Sequence, residues 1–280
     1  MKTILVPTDY SSAASNAAEY AARLAKELKA ELLLLHVYNM PTPVTEVPII
    51  SITPEELQKE NEGLLEKEAA YLKQKTGVHV NYIAKMGLAV DEILEQEKNT
   101  NLTVMGMQGA GKLSELLIGS ITTRTLRKAK NPVLVIPQNC IYKKPQKIIL
   151  ACDYDIRTDT HTLKPLKDFA MSLNSKIHLL NIKQENEAVT VDESMSRIKL
   201  DKELQGIEHI YYFEENEDIV EGINKFVEDQ HADLLAVIPH RYNLIERLFH
   251  KSISKKMAFH TNVPLLALPD THRTDAAYFL

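Results

Sequence analysis

The chain has 280 residues, 44% hydrophobic and 25% charged, which is room for about two average soluble domains. Its formal net charge of -5 argues against a nucleic-acid-binding face, and no apolar run reaches the length of a membrane span, so neither nucleic acid nor membrane is expected as a partner. The start, MKTILVPTDYSS, carries too brief an apolar run for a secretory signal, and Cys140 and Cys152 form no CxxC or Cys/His ligand set; both features point to a reducing cytoplasm and to no metal site.

Residues Thr3 to Val6 are β-rich and run into Pro7-Thr8-Asp9. Ala14, Ala17, Ala18, Ala21, Leu24, Ala25 and Leu28 then recur at helical spacing, with Ser11 or Ser12 as cap. Glu31 to Tyr38 is an apolar run of the kind found in strands covered on both faces. After a proline-rich connection, Thr53-Pro54-Glu55-Glu56 gives a capping box with proline at the first helical position, and Gly77 offers the C-terminal stop. A strand is expected at Val78 to Ala84, a short helix from Leu88 to Lys98, a strand at Leu102 to Met105, a helix from Ser120 to Lys130 and a strand at Pro132 to Pro137. Strands alternating five times with helices predict an α/β, doubly wound parallel sheet.

The pattern then repeats. KIILACDYD echoes TILVPTDYS, SKIHLLNIK echoes the second strand, and NVPLLALP echoes NPVLVIP. Pro132 and Pro264 are 132 residues apart, as are Ser120 and Ser252, so the ends of the halves align without a gap. Two tandem copies of one α/β domain are expected, over residues 1–140 and 146–270, with a polar link near Asn139 to Gln146.

Four of the nine glycines, Gly106, Gly109, Gly111 and Gly119, fall between Leu102 and Ser120 in a G-x2-G-x9-G-S spacing. In an open parallel sheet, ligands sit beyond the carboxyl ends of the strands where strand order reverses. There Asp9 could accept hydrogen bonds from a sugar or base, while glycine N–H groups, the Ser120 hydroxyl and a helix N-terminus suit phosphates. The same residues also allow a plainer reading, in which Asp9 caps the first helix and the glycines make turns. Gly106 to Lys112 fits the opening of a P-loop, G-x4-G-K, but Leu113 stands where the Mg²⁺-binding hydroxyl is required.

The succession TILVPTDYS, helix, LLLLHVY, long connection, GLAVDEI, MG-x2-G-x9-GSIT and PVLVIP resembles the universal stress protein family over the first half, and more weakly over the second. The resemblance implies two five-stranded sheets of order 3-2-1-4-5 that pair through their last strands as a pseudo-dimer, Val133 to Ile136 near Leu265 to Leu268. It implies an ATP site in which Asp9 holds the nucleoside with Pro7 and Thr8 beside it, Val37 lies against the adenine, and Met105 and Gly106 line the pocket. Gly109, Gly119, Ser120, Ile121 and Thr122 would hold the phosphates with Mg²⁺. AMP and cyclic nucleotides are left open as ligands, and a homodimer of chains as assembly. On the 132-residue offset the second half puts Ile238 at Gly106, Arg241 at Gly109 and Lys251 at Gly119, keeping only Ser252, so one nucleotide site per chain is expected.

The stretch from His240 to His260 adds Arg241, Arg247, His250, Lys251, Lys255 and Lys256, read either as a cationic patch or as a solvated helix face. No water-activating base set accompanies the glycine loop, so a nucleotide-responsive signalling or protective module in the stress response is expected rather than an efficient enzyme. The alternatives are a weak ATPase or phosphotransferase using Lys112 and Asp9, and a nucleotide-free pairing scaffold.

Overall fold

A computed structural model describes residues 3–40, 53–107, 119–152, 160–183, 191–238 and 263–269. The first half runs β1 (Thr3–Thr8), α1 (Ser12–Leu28), β2 (Glu31–Tyr38), α2 (Pro54–Thr76), β3 (Val80–Met86), α3 (Ala89–Glu97), β4 (Leu102–Gly106), α4 (Ser120–Lys128) and β5 (Val133–Ile136). The second runs β6 (Lys147–Ala151), α5 (Thr160–Leu173), β7 (Lys176–Lys183), α6 (Val191–Glu203), β8 (His209–Glu215), α7 (Ile219–Asp229), β9 (Leu234–Val237) and β10 (Leu265–Ala267).

Local chemistry sets the helix ends. The Ser11 hydroxyl accepts the Ala14 N–H at 3.2 Å, satisfying a first-turn donor of α1 that has no carbonyl to bond within the helix. At α2 the expected capping box forms in both directions, Glu56 N–H to Thr53 Oγ1 at 3.2 Å and Thr53 N–H to Glu56 at 3.0 Å. Gly77 closes that helix at a φ of 77°, a left-handed conformation that glycine adopts without a Cβ clash. The strand expected at 78–84 lies at Val80–Met86: the chain is still leaving the turn at Val78, and the Leu32 N–H meets β3's approach at the His79 carbonyl. The short helix is Ala89–Glu97, with Leu88 as a cap that supplies no side-chain bond.

The ten strands among the described residues form one sheet in the order β3-β2-β1-β4-β5-β10-β9-β6-β7-β8. Each half therefore has the 3-2-1-4-5 order, with parallel pairing inside it, and β5 meets β10 antiparallel. Leu266 pairs with Leu134, Leu265 with Val135 and Ala267 with Val133. Leu134 and Leu266 are 132 residues apart, so they are equivalents paired with each other, and a local twofold axis passes between them. The repeat extends to single bonds. The Asn101 N–H donates to the Thr3 carbonyl at 3.0 Å and its equivalent Asp233 N–H to the Lys147 carbonyl at 3.0 Å.

Two hydrophobic layers cover the sheet. On one face Ile4, Val6, Leu32 and Leu34 pack with α1 and α2, and the layer continues into Leu166 and Phe169 of α5. On the other, Leu5, Leu35, Met105 and Val135 pack with Ile93 of α3 and Leu126 of α4, continuing into Ile223 and Phe226 of α7. β4 and β5 are buried at every residue, as expected of central strands clad on both sides. No helix among the described residues is long and apolar enough to cross a membrane.

Candidate functional site

Strand order reverses between β1 and β4. The chain passes from β1 outward to β2 and β3, then returns to the other side of β1 as β4. The two ladders that flank β1 end at different heights. Toward β2 the register runs to Thr8↔His36, but toward β4 it stops at Leu5↔Thr103. The Thr3 carbonyl accepts from Asn101, on the β4 side, and peptide groups of a strand alternate sides, so Pro7 also turns its nitrogen toward β4. Proline has no N–H to donate there. The β1–β4 ladder therefore ends before the strands do, at the carboxyl edge where strand order reverses and where ligands of open α/β sheets sit in a crevice.

One wall is the β1–α1 turn. Thr8 is buried; its hydroxyl oxygen accepts the Tyr10 N–H at 3.1 Å, and the Glu68 carboxyl of α2 lies near it. Its carbonyl lies 2.8 Å from His36 Nδ1, and since a carbonyl only accepts, that nitrogen carries the proton. Tyr10 has a φ of 61°, a left-handed conformation that reverses the chain toward α1. Its ring lies 4.6 Å from that of His36, which in turn stacks on Tyr38. Asp9 is exposed at the tip, where Oδ1 accepts the Ser11 N–H at 3.1 Å. Ser11, not Asp9, caps α1, and the Asp9 bond closes the turn before the helix; an ionised carboxylate offers about four acceptor sites, so this is compatible with holding a ligand as well.

Glu68 escapes a reading of the sequence, because only the packing of α2 on β1 brings it to Thr8. The signal that could have found it is a carboxylate beside Leu65, Ala69 and Leu72 on the buried stripe of α2. Burial raises its carboxyl above the usual carboxylate range, and the neighbouring Thr8 opposes that shift. Burial also raises the Tyr10 phenol, and the nearby Glu68 charge adds to that shift.

The other wall is the end of β4 and the start of α4. Met105 is buried on the same face as Pro7, and Val37 lies two residues beyond Leu35, the strand partner of Pro7. A Cβ at Gly106 would lie 2.7 Å from the carbonyl oxygen of Ala13, so this position is glycine because the backbone of α1 passes against it. The Gly106 carbonyl accepts the Thr122 hydroxyl at 3.0 Å, and the Gly119 N–H donates to the Met107 carbonyl at 2.7 Å. Those two bonds tie α4 to the end of β4. They also commit the Gly119 amide, leaving Ser120, Ile121 and Thr122 as the first-turn amides that have no carbonyl to bond within the helix. Such amides, with the helix dipole behind them, suit an anion.

Pro7, Thr8 and Asp9 thus stand at the end of β1, and Met105, Gly106, Gly119, Ser120, Ile121 and Thr122 at the end of β4 and the start of α4. Gly109, Gly111 and Lys112 lie outside the described residues. In the second half the Cys152 carbonyl takes the place of that of Thr8 and accepts from Asn181 Nδ2 at 3.3 Å. Ile238, at the position of Gly106, is buried in the face that carries α5. Asp153, Arg241, Lys251, Ser252 and the rest of the basic stretch to His260 lie outside the described residues.

Universal stress protein MJ0531 of Methanocaldococcus jannaschii is 32% identical over 151 residues, which are 52% of this chain and 84% of that protein. The crystal structure of a universal stress protein from Archaeoglobus fulgidus is similar over 96% of this chain and 98% of its own, with a TM-score of 0.73 at 19% identity, a likeness of fold. A universal stress protein solved in complex with cAMP is similar to 48% of this chain and covered over 96% of its own, at 20% identity and a TM-score of 0.38. The universal stress protein family model matches residues 1–137 and again residues 145–269, so this chain belongs to the universal stress protein family, with two copies of the family's domain in tandem.

Proposed function

We propose that the chain binds one adenine nucleotide, ATP with Mg²⁺ carried on its phosphates, in the crevice of its first half. Asp9, beside Pro7 and Thr8, would hold the ribose, and Val37 and Met105 would face the base. Gly109, Gly119, Ser120, Ile121 and Thr122 would receive the phosphates, with Gly106 closing the floor. What supports this reading is that the β1–β4 ladder stops at Leu5↔Thr103, with the Asp9 turn following β1 and the first-turn amides of α4 following β4. An acceptor for hydroxyls on one wall and donors for an anion on the other match the two ends of a nucleotide.

In this reading residues 1–140 are the nucleotide-binding unit, and residues 146–270 are its diverged partner, joined to it through β5 and β10 as a pseudo-dimer. The chain acts in the cytoplasm as a nucleotide-responsive signalling or protective module. Calorimetric titration of Mg-ATP into the wild type and into Gly119→Lys, which copies the second half's Lys251, tests the assignment. One site per chain, lost in the variant, is the expected result. Two sites would give the second half a working crevice, and no binding would leave a paired-domain scaffold as the function.

A further inference from the structure

The segment that joins the halves is bound along its length to both of them. On the first-half side it follows α1. Gln138 Nε2 donates to the Ser12 hydroxyl at 3.3 Å, and Asn16 Nδ2 donates to the carbonyls of Pro137 and Cys140 at 3.1 and 3.2 Å. Tyr142 meets Tyr20 edge-on at 4.9 Å, and Lys144 pairs with Glu27 at 3.3 Å. Contacts from four residues of α1 thus run from its first turn to its last. That first turn is the one that Ser11 caps, its Ala13 carbonyl rests on Gly106, and Asp9 bonds the N–H of Ser11.

On the second-half side the same segment ends on Asp233, whose side chain is only 6% exposed. Its Oδ2 accepts the N–H groups of Gln146 and Lys147, each at 2.9 Å, and its Oδ1 pairs with Lys143 at 2.6 Å. Burial alone would raise this carboxyl, but the Lys143 ammonium and the two amides outweigh it and hold it below its ordinary value. The repeat shows what is particular here. The equivalent residue, Asn101, accepts the N–H of Thr3 at 3.3 Å, so the strand-start bond needs only an amide oxygen. The second half has a carboxylate at that position, and the carboxylate adds Lys143 of the connecting segment to the bond both halves share.

We propose that α1, the connecting segment and Asp233 form a strap that couples the crevice of the first half to the start of β6 and β9 in the second. Asp233 and Asn16 are its positioning residues. A change at the capped first turn of α1 shifts the Asn16 clamp, and the segment carries that shift to Lys143, Asp233 and the Gln146 and Lys147 amides. The part that concerns a bound nucleotide rests on the function proposed above; the mechanical part does not.

Hydrogen exchange on the full chain separates the two. Without ligand, Asp233→Asn, which restores the first half's residue and its strand-start acceptor, and Lys143→Ala are each compared with wild type. Both are expected to speed exchange of the α1 amides from Asn16 to Tyr20 by roughly two- to thirty-fold, the span of couplings of about 0.5–2 kcal/mol. Lys98→Ala, which removes an exposed pair with Glu95 away from the strap, should leave them unchanged. Unchanged α1 exchange in both strap variants would overturn the proposal. With Mg-ATP, wild type should show slower exchange at Gln146 and Lys147, and the strap variants should bind without that response. Binding to wild type with no change there overturns the ligand coupling, whereas absence of binding removes the nucleotide reading and leaves the ligand-free comparison to decide the strap.

Discussion

The ends of β1 and β6 are the same place in two copies of one domain, and they differ in what the fold does not require. At both, a side chain on the neighbouring strand bonds the last carbonyl: His36 to Thr8 at 2.8 Å, Asn181 to Cys152 at 3.3 Å. The sheet needs a donor at that point and is indifferent to which one. At the end of the fourth strand the halves part company. Gly106 lets the backbone of α1 rest against the strand, while its counterpart Ile238 fills the corresponding layer with its own side chain. A domain can therefore keep its sheet, its strand order and its cross-strand bonds while the end of its fourth strand is rebuilt. The difference lies in close approach at one residue and not in the scaffold.

Exchanging residues between the halves probes how far that comparison holds. The largest expected effect is that of Gly106→Ile, the second half's residue. Its Cβ would meet the Ala13 carbonyl oxygen at 2.7 Å, backbone that cannot swing aside, and a loss of about 3 kcal/mol in urea unfolding is expected. A loss under about 0.5 kcal/mol would mean that α1 stands off without cost, and that glycine is present for some other reason. Next, His36→Leu should cost about 1 kcal/mol by removing the imidazole bond to the Thr8 carbonyl, whereas His36→Asn, the second half's solution, should recover most of it. Equal losses from both would show that the imidazole's stacking on Tyr10, not its bond, matters.

Asp9→Ala removes the Oδ1 bond to Ser11 and should cost about 1 kcal/mol of stability. It should also weaken Mg-ATP binding at least about tenfold by calorimetry, and unaltered affinity would confine Asp9 to closing the turn before α1. The smallest effect belongs to Glu68→Gln and depends on pH. The folded carboxyl, raised by burial, keeps its proton to higher pH than the unfolded one, so the native state binds more protons between the two values and loses stability as pH rises through that window. The variant should therefore gain on wild type as pH rises from below about 4.3 toward neutrality, read as a difference in Tm. A constant difference across that range would exclude Glu68 as the titrating group.

Much of this was written in the chain. The capping box at Thr53, the stop at Gly77, the equal 132-residue offsets and the resemblance carried by the glycine spacing led to two doubly wound units joined by their last strands. The strand-end residues around the crevice were also legible, since strand ends can be read from where apolar runs stop. What could not be read is whatever depends on contact between distant elements. Nothing near Gly106 in sequence says that it faces Ala13, because the approach of α1 is decided by helix packing 93 residues away. Glu68 looks like one more charge on a highly charged helix until α2 is laid on β1. Asp233 is a different case: its alignment with Asn101 was available from the offset, but its bond to Lys143 was not, since only the folded path of the connecting segment brings the two together.

The antiparallel meeting of β5 and β10 has a consequence for direction. Strands of the first half run one way across the sheet and those of the second half run the other. The rim where Asp9 and α4 stand and the rim where Cys152 and Val237 end are therefore opposite margins of one molecule. A ligand seated at one margin cannot be touched by residues at the other, and a protein docking over one leaves the other facing away. The molecule has a front and a back, and whatever enters at the front can be read at the back only through the body of the protein.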